Sequence, residues 1–271
     1  MVMNPRTASV FERARSEGRA VLIGYLPAGF PTVDASVELI SSMLEGGVDL
    51  VEVGLPYSDP LMDGAAIQQA VETALSAGVT TADVLDVVRA IEPDDSQAVV
   101  VMSYWNPIER YGQERFAEDL AAAGGSGVIT PDLIPEEATS WMDATDAAGI
   151  DRTFLVAPSS TDARIDLVTG ACSGFVYAAS TMGVTGARDH VSSAAPMLVE
   201  RVRAHTSAPI GVGLGVSSAD QAAAIAAYAD GVIVGSAFVR RILDAADLDD
   251  AKLAVRSFAT ELASGVRRPG R

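Results

Sequence analysis

Eight short apolar runs, rich in β-branched residues, recur along the 271-residue chain and are separated by stretches with helical periodicity. They are Ala20–Tyr25, Asp49–Leu55, Ala98–Ser103, Gly127–Thr130, Thr153–Ala157, Gly174–Ala178, Ala208–Val212 and Gly231–Val234. Several are apolar on both faces, as strands of a parallel sheet covered by helices must be. The intervening segments carry helix signals. Thr32–Gly46 puts Val33, Val37, Ile40 and Leu44 at helical spacing, and Ser218-Ala-Asp-Gln221 has the form of a capping box before an alanine-rich helix. Eight strand–helix units with no linker-like break predict a closed (β/α)8 barrel, the TIM-barrel architecture, as one domain over residues 1–271. Asn4 as N-cap, Pro5 as first helical residue and Gly18 as stop predict an extra helix within residues 1–18. Residues 265–271 read as a flexible tail.

Composition narrows the function classes. Hydrophobic residues make up 49 % and charged residues 20 %, which supports a large core. The formal net charge of −17 repels phosphate backbones, so nucleic acid is not expected as a partner. Cys172 is the only cysteine, so neither an intramolecular disulfide nor a thiolate metal cluster can form. His190 and His205 lack ligand spacing, and no metal site is expected. No secretory signal and no membrane-length apolar run is visible, so the expected location is the cytoplasm.

In such a barrel, chemistry sits where strands end and the following loops begin. Glu52 interrupts the apolar second run and shares a strand face with Leu50 and Gly54, the side expected to line the barrel. A carboxylate there is destabilising unless paired, and loss of water should raise its pKa. No arginine stands at an obvious inward position of another strand, which favours a functional carboxylate over a structural ion pair. The loop Pro56-Tyr-Ser-Asp-Pro-Leu-Met-Asp-Gly64 adds Asp59 and Asp63. Taken alone, Asp63 reads as an ordinary cap of the helix that follows.

Three later strand ends are rich in glycine: Ser180–Arg188, suited to a lid, Gly213–Ser217, and Gly235-Ser236 leading into a short helix. Backbone N–H groups at glycine turns and helix N-termini bind anions without cationic side chains. Three such turns converging at one end of the barrel predict a phosphate site that works despite the acidic net charge.

Together these segments resemble the alpha subunit of tryptophan synthase, from about Phe11 to Leu262. The residues that carry the resemblance are Glu52-Val-Gly-Leu-Pro-Tyr-Ser-Asp-Pro-Leu-Met-Asp-Gly64, Met102-Ser-Tyr-Trp-Asn-Pro107, Tyr177–Gly186, Gly213–Ser217 and Gly235-Ser236, in that order. The resemblance implies retro-aldol cleavage of indole-3-glycerol phosphate to indole and glyceraldehyde 3-phosphate, with Glu52 and Asp63 as the catalytic pair and Tyr177 beside them. It implies phosphate contacts around Gly186, Leu214, Gly215, Gly235 and Ser236, closure of Thr185 over Asp63, and an indole pocket of Tyr25, Ile67, Met102 and Ile129. Asp59, Pro60 and Asn106 would face a beta subunit in an alpha2-beta2 complex. No cofactor is implied on this chain; pyridoxal phosphate would belong to the beta subunit. The chain departs from the family's pattern at Tyr25, where some members have Phe, at the bulky Trp105-Asn106-Pro107, and at Ala65, where Pro is common.

Three other readings remain at this level. Another phosphate-binding barrel enzyme would commonly place a catalytic Lys or Cys at a strand end, but Lys252 falls in the last helix and Cys172 before the sixth run. A non-catalytic barrel that activates a partner has no need of Glu52, Asp63 and Tyr177 together. A stand-alone lyase that releases free indole would carry the same residues.

Overall fold

The computed structural model describes residues 3–179, 194–213 and 215–268. Among these residues, nine parallel strands form one sheet. They are β1 (Val21–Pro27), β2 (Leu50–Gly54), β3 (Ala98–Met102), β4 (Gly127–Ile129), β5 (Asp151–Thr153), β6 (Leu155–Val156), β7 (Val176–Ala179), β8 (Ile210–Gly213) and β9 (Gly231–Val234). Their order is β5-β4-β3-β2-β1-β9-β8-β7-β6, so the two ends of the sheet are consecutive in sequence and the sheet curls into a nearly closed barrel.

The expected fifth run, Thr153–Ala157, is corrected in two respects. Its ladder begins at Asp151, and it breaks at Phe154. The Phe154 N–H is turned to the Cys172 sulfur, 3.3 Å away, and its carbonyl accepts from the Tyr177 amide at 3.2 Å. The expected tail is corrected as well. Gly265 and Val266 belong to the buried last helix, Leu248–Val266, because Gly265 lets it lie directly on the Ala219 backbone. The segment after Met102 is a helix, Trp105–Tyr111. At the start of the helix Ala219–Ala226, Ser218 caps the Gln221 amide as expected, but the Gln221 side chain accepts from the Ser217 amide.

Strand register explains what fills the barrel. Ile23 lies opposite Leu50, and Tyr25 opposite Glu52. Leu50 lies opposite Ala98, and Glu52 opposite Val100. Toward the N-terminal end, Val21, Ile23, Leu50, Ala98, Val100, Ile129, Phe175 and Ile233 form one apolar cluster. The N-terminal helix Pro5–Ser16 adds Val10, Phe11 and Ala14 to it, with Phe11 and Phe175 ring centroids 5.8 Å apart. That helix starts where the sequence predicts: Asn4 caps it, and the Asn4 amide donates to Asp151 Oδ1 at 2.9 Å. The helix therefore closes the bottom of the barrel. Aromatic rings inside it lean diagonally over glycines of the next strand: a Cβ at Gly54 would meet the Tyr25 ring, one at Gly211 the Phe175 ring, and one at Gly213 the Tyr177 hydroxyl.

Two carboxylates just before strands, Asp49 and Asp230, meet guanidinium groups and backbone amides, whereas Asp151 at the start of β5 keeps one oxygen, Oδ2, with no partner among the described residues. Asp49 takes both arms of Arg19, at 2.7 and 2.9 Å, and the Leu22 amide at 2.8 Å. Asp230 accepts from Arg203 and from the Ile210 amide, each at 3.0 Å. These pairs tie each strand's first residue to its neighbour. Removing one partner of a buried ion pair strands the other charge. Asp49→Ala is expected to lower the unfolding free energy by about 3 kcal/mol or more, read as a lower urea midpoint with an unchanged slope.

Candidate active site

At the C-terminal mouth the carboxylates are placed differently. Glu52, in the middle of β2, is 2 % exposed. Its Oε1 has no hydrogen-bond partner among the described residues. The one buried strand arginine that could have neutralised it, Arg152, faces outward to the Asp146 carboxylate (2.6 Å) and the Ala171 carbonyl (2.8 Å). Loss of water alone pushes the Glu52 carboxyl up to about 8, so at neutral pH it holds its proton and can give it away.

Asp63 lies in the loop between β2 and the helix Ala65–Ser76. The capping role that it suggests in isolation is not taken: Gly64 is the N-cap, with no side-chain capping bond. Instead Asp63 Oδ1 accepts from the Tyr104 hydroxyl at 3.2 Å. Burial raises the Asp63 carboxyl above the usual carboxylate range, and the Tyr104 hydrogen bond opposes that rise. Tyr104 is held in turn, because the amides of Leu61 and Met62 donate to its hydroxyl at 3.1 and 3.0 Å. Sequence reasoning missed this residue. Its signal was strand alternation past Met102, which puts Tyr104 on the face that points to the mouth.

Three tyrosines crowd the two carboxylates. The hydroxyls of Tyr25 and Tyr177 are pushed well above the usual phenol range, first by burial and then by the nearby carboxylates. Both stay neutral and can act as donors. The residues expected to hold the ring are placed as follows. Met102 pairs in register with Gly54 on one side and Ile129 on the other, and the Tyr25 ring lies over Gly54. Ile67, on the first turn of the helix after the loop, belongs to the apolar cluster that holds Tyr25. Both Glu52 and Asp63 lie close enough to the Tyr25 hydroxyl to oppose its ionisation.

Of the expected anion contacts, Gly235 ends β9 and caps the short helix Ser236–Leu243, whose first amides have no acceptor inside the helix. A side chain at Gly235 would touch the Tyr25 ring. Gly215 adopts a left-handed conformation, φ 65°, that tightens the turn after β8. Arg240 reaches the Ser236 hydroxyl at 3.4 Å, a positive charge near the helix start that the sequence had not suggested. Thr185, Gly186 and Leu214 lie outside the described residues. On the outer rim, Asp59 is exposed and accepts from the Ser58 hydroxyl at 2.6 Å, beside Pro60 and the exposed Leu61. The exposed Asn106 donates to the Tyr57 hydroxyl at 3.1 Å. The Tyr57 ring packs on Tyr104, centroids 5.4 Å apart. No helix among the described residues is long and apolar enough to cross a membrane.

Known proteins match this chain over nearly their whole length. The family model described as "Tryptophan synthase alpha chain" matches residues 11–266. The tryptophan synthase alpha chain of Thermobifida fusca is 62 % identical over 95 % of this chain and 96 % of its own. That of Mycobacteroides abscessus is 59 % identical over 99 % of this chain and all of its own. A solved structure of Mycobacterium tuberculosis tryptophan synthase superposes with a TM-score of 0.91 at 54 % identity, covering 98 % of this chain and 99 % of that one. The subunit alpha structure from Legionella pneumophila keeps a TM-score of 0.88 at 30 % identity, covering 98 % and 99 %. With barrel, mouth and rim all inside these matches, the chain belongs to the tryptophan synthase alpha chain family.

Proposed function

We propose that this chain cleaves indole-3-glycerol phosphate to indole and glyceraldehyde 3-phosphate, and that Glu52 and Asp63 do the chemistry. One observation carries the reading: a buried carboxyl that burial keeps protonated near neutrality and a hydrogen-bonded carboxylate both stand near the Tyr25 hydroxyl. The Glu52 carboxyl delivers its proton to indole C3, and the positive charge that develops on the ring nitrogen is stabilised by Asp63, which accepts from the N–H. Glu52, now a carboxylate, takes the proton of the hydroxyl on C3′. The O–H electrons become the aldehyde C=O, the C3–C3′ bond breaks, and its electrons restore the neutral indole ring. One residue serves as acid and then as base because its pKa lies near neutrality.

Tyr177 lines the site, and Tyr25, Ile67, Met102 and Ile129 hold the ring. The phosphate is held by backbone amides at Gly215, Gly235 and Ser236 together with Gly186 and Leu214, and Thr185 closes over Asp63. Every step is a proton transfer between substrate and side chain, so the chain's own part asks for no cofactor; pyridoxal phosphate belongs to the beta-subunit partner. The reading takes residues 1–271 as one domain, working in the cytoplasm, and passing indole to a beta subunit docked over Asp59, Pro60 and Asn106. The place of all described strands in one sheet supports the first point, and the exposure of Asp59 and Asn106 supports the last.

Glu52→Gln separates this reading from a barrel that only binds. Turnover is expected to fall roughly a thousandfold while substrate affinity is kept, because glutamine fills the space and carries no transferable proton. Activity within tenfold of wild type would overturn the assignment. The same variant should be more stable than wild type. A carboxyl whose folded pKa lies above its unfolded value destabilises the fold as pH rises from the unfolded value, 4.5, to the folded value, about 8. The gain in unfolding free energy should grow across that window, level off above it at a few kcal/mol on the order of the pKa shift, and vanish in acid.

The partner is tested by titrating a matched beta subunit into the chain while indole release is followed. Turnover is expected to rise by one to two orders of magnitude, about 2 kcal/mol of coupling. Asp59→Ala should weaken that rise more than it slows the basal rate. A chain already fully active alone and indifferent to the beta subunit would be a stand-alone lyase.

A further inference from the structure

A phenol hydroxyl has one proton to donate and two lone pairs that accept. At Tyr104 both lone pairs face donors, the amides of Leu61 and Met62 at 3.1 and 3.0 Å. An amide N–H cannot accept, so the Tyr104 proton has one destination, Asp63 Oδ1 at 3.2 Å. Tyr104 is 2 % exposed, so water does not compete freely for that proton. The polarity of the contact is therefore fixed by the backbone of the loop rather than by the pH of the solution.

We propose that Tyr104 is a positioning residue that keeps Asp63 a hydrogen-bond acceptor, leaving Oδ2 to the indole N–H and tying the carboxylate, with its loop, to the segment that follows β3. The inference rests on the reading of Asp63 as the carboxylate that accepts from the substrate. It also supplies a route from rim to site. Asn106 holds the Tyr57 hydroxyl, the Tyr57 ring packs on Tyr104, and the Leu61 and Met62 amides hang on the Tyr104 oxygen. A partner that shifts the loop moves the donor that orients Asp63.

The experiment follows indole release against pH in the complex saturated with beta subunit. Glu52, Tyr25 and Tyr177 lose their protons above neutrality, and Asp132, which accepts from the Trp105 amide at 2.9 Å, is a second carboxylate near the mouth, so it is the displacement of the acid limb between Tyr104 variants that reports Asp63. Tyr104→Phe removes the donor and leaves the burial. The expected result is a fall in kcat of roughly tenfold or more with little change in KM, and an acid limb moved to higher pH. Replacing Tyr104 by 3-fluorotyrosine keeps the hydroxyl and strengthens it as a donor, so activity should be retained and the acid limb should move the other way. This second variant preserves the fold even where phenylalanine does not. An acid limb that stays in place in the variants, or a loss confined to KM, overturns the proposal. Asp63→Asn tests the underlying reading separately: if it turns over substrate like wild type, the role given to Asp63 fails whatever Tyr104 does.

Discussion

A carboxyl group kept dry inside an apolar barrel is the constraint that the rest of this molecule has to satisfy. Glu52 could be made comfortable in several ways, by a facing arginine, by a ring of amides, or by water, and each would lower its pKa and end its use as an acid. The fold withholds the first two. Arg152, the buried arginine of β5, points outward into the helix layer. The bottom of the barrel is filled by apolar side chains and stoppered by the N-terminal helix. What is left around Glu52 is a set of neutral hydroxyls and methyl groups that tolerate a protonated carboxyl and disfavour a charged one.

Ion-paired carboxylates gather at the strand starts, and the carboxylates with the fewest partners near the mouth are Glu52 and Asp63. At the strand starts Asp49 and Asp230 meet guanidinium groups and backbone amides, and their work is to hold strands in register. At the strand ends Glu52 has an oxygen with no partner among the described residues, and Asp63 is held by one neutral hydroxyl. The destabilisation from keeping Glu52 and Asp63 short of partners is offset in part by the ion pairs of Asp49 and Asp230.

The sequence showed the upper end unevenly. Glu52 was visible because a carboxylate breaks an apolar run, and strand alternation sent it inward. The barrel was visible because eight runs repeat with helices between them. Asp63 was ambiguous, since an aspartate before a helix is usually a cap; only the structure shows that Gly64 takes that place. Alternation could place Tyr104 on the mouth face but not give its role, which depends on two amides some forty residues earlier in the chain, brought to it by a loop whose shape periodicity does not encode. The break at Phe154 was hidden for a similar reason: it depends on the sulfur of Cys172, a partner in the next helix–strand joint. Patterning reports which face a side chain takes. It is silent on which distant backbone group meets it there.

The sheet order has a consequence for how such a chain comes together. β1 pairs with β2 and also with β9, so Val21 waits for Gly231, a residue made long after it. Until β9 arrives, β1 presents a row of unsatisfied amides and carbonyls flanked by fully buried side chains. That edge is apolar on both faces and would accept a foreign strand as readily as its own. The seam at Phe154 poses no such hazard, because the two sheet ends there are neighbours along the chain. The vulnerable interval in the life of this molecule is thus the one between the emergence of its first strand and the return of its last. The formal net charge of −17, of little use to a phosphate site, makes copies of the chain repel one another in that interval.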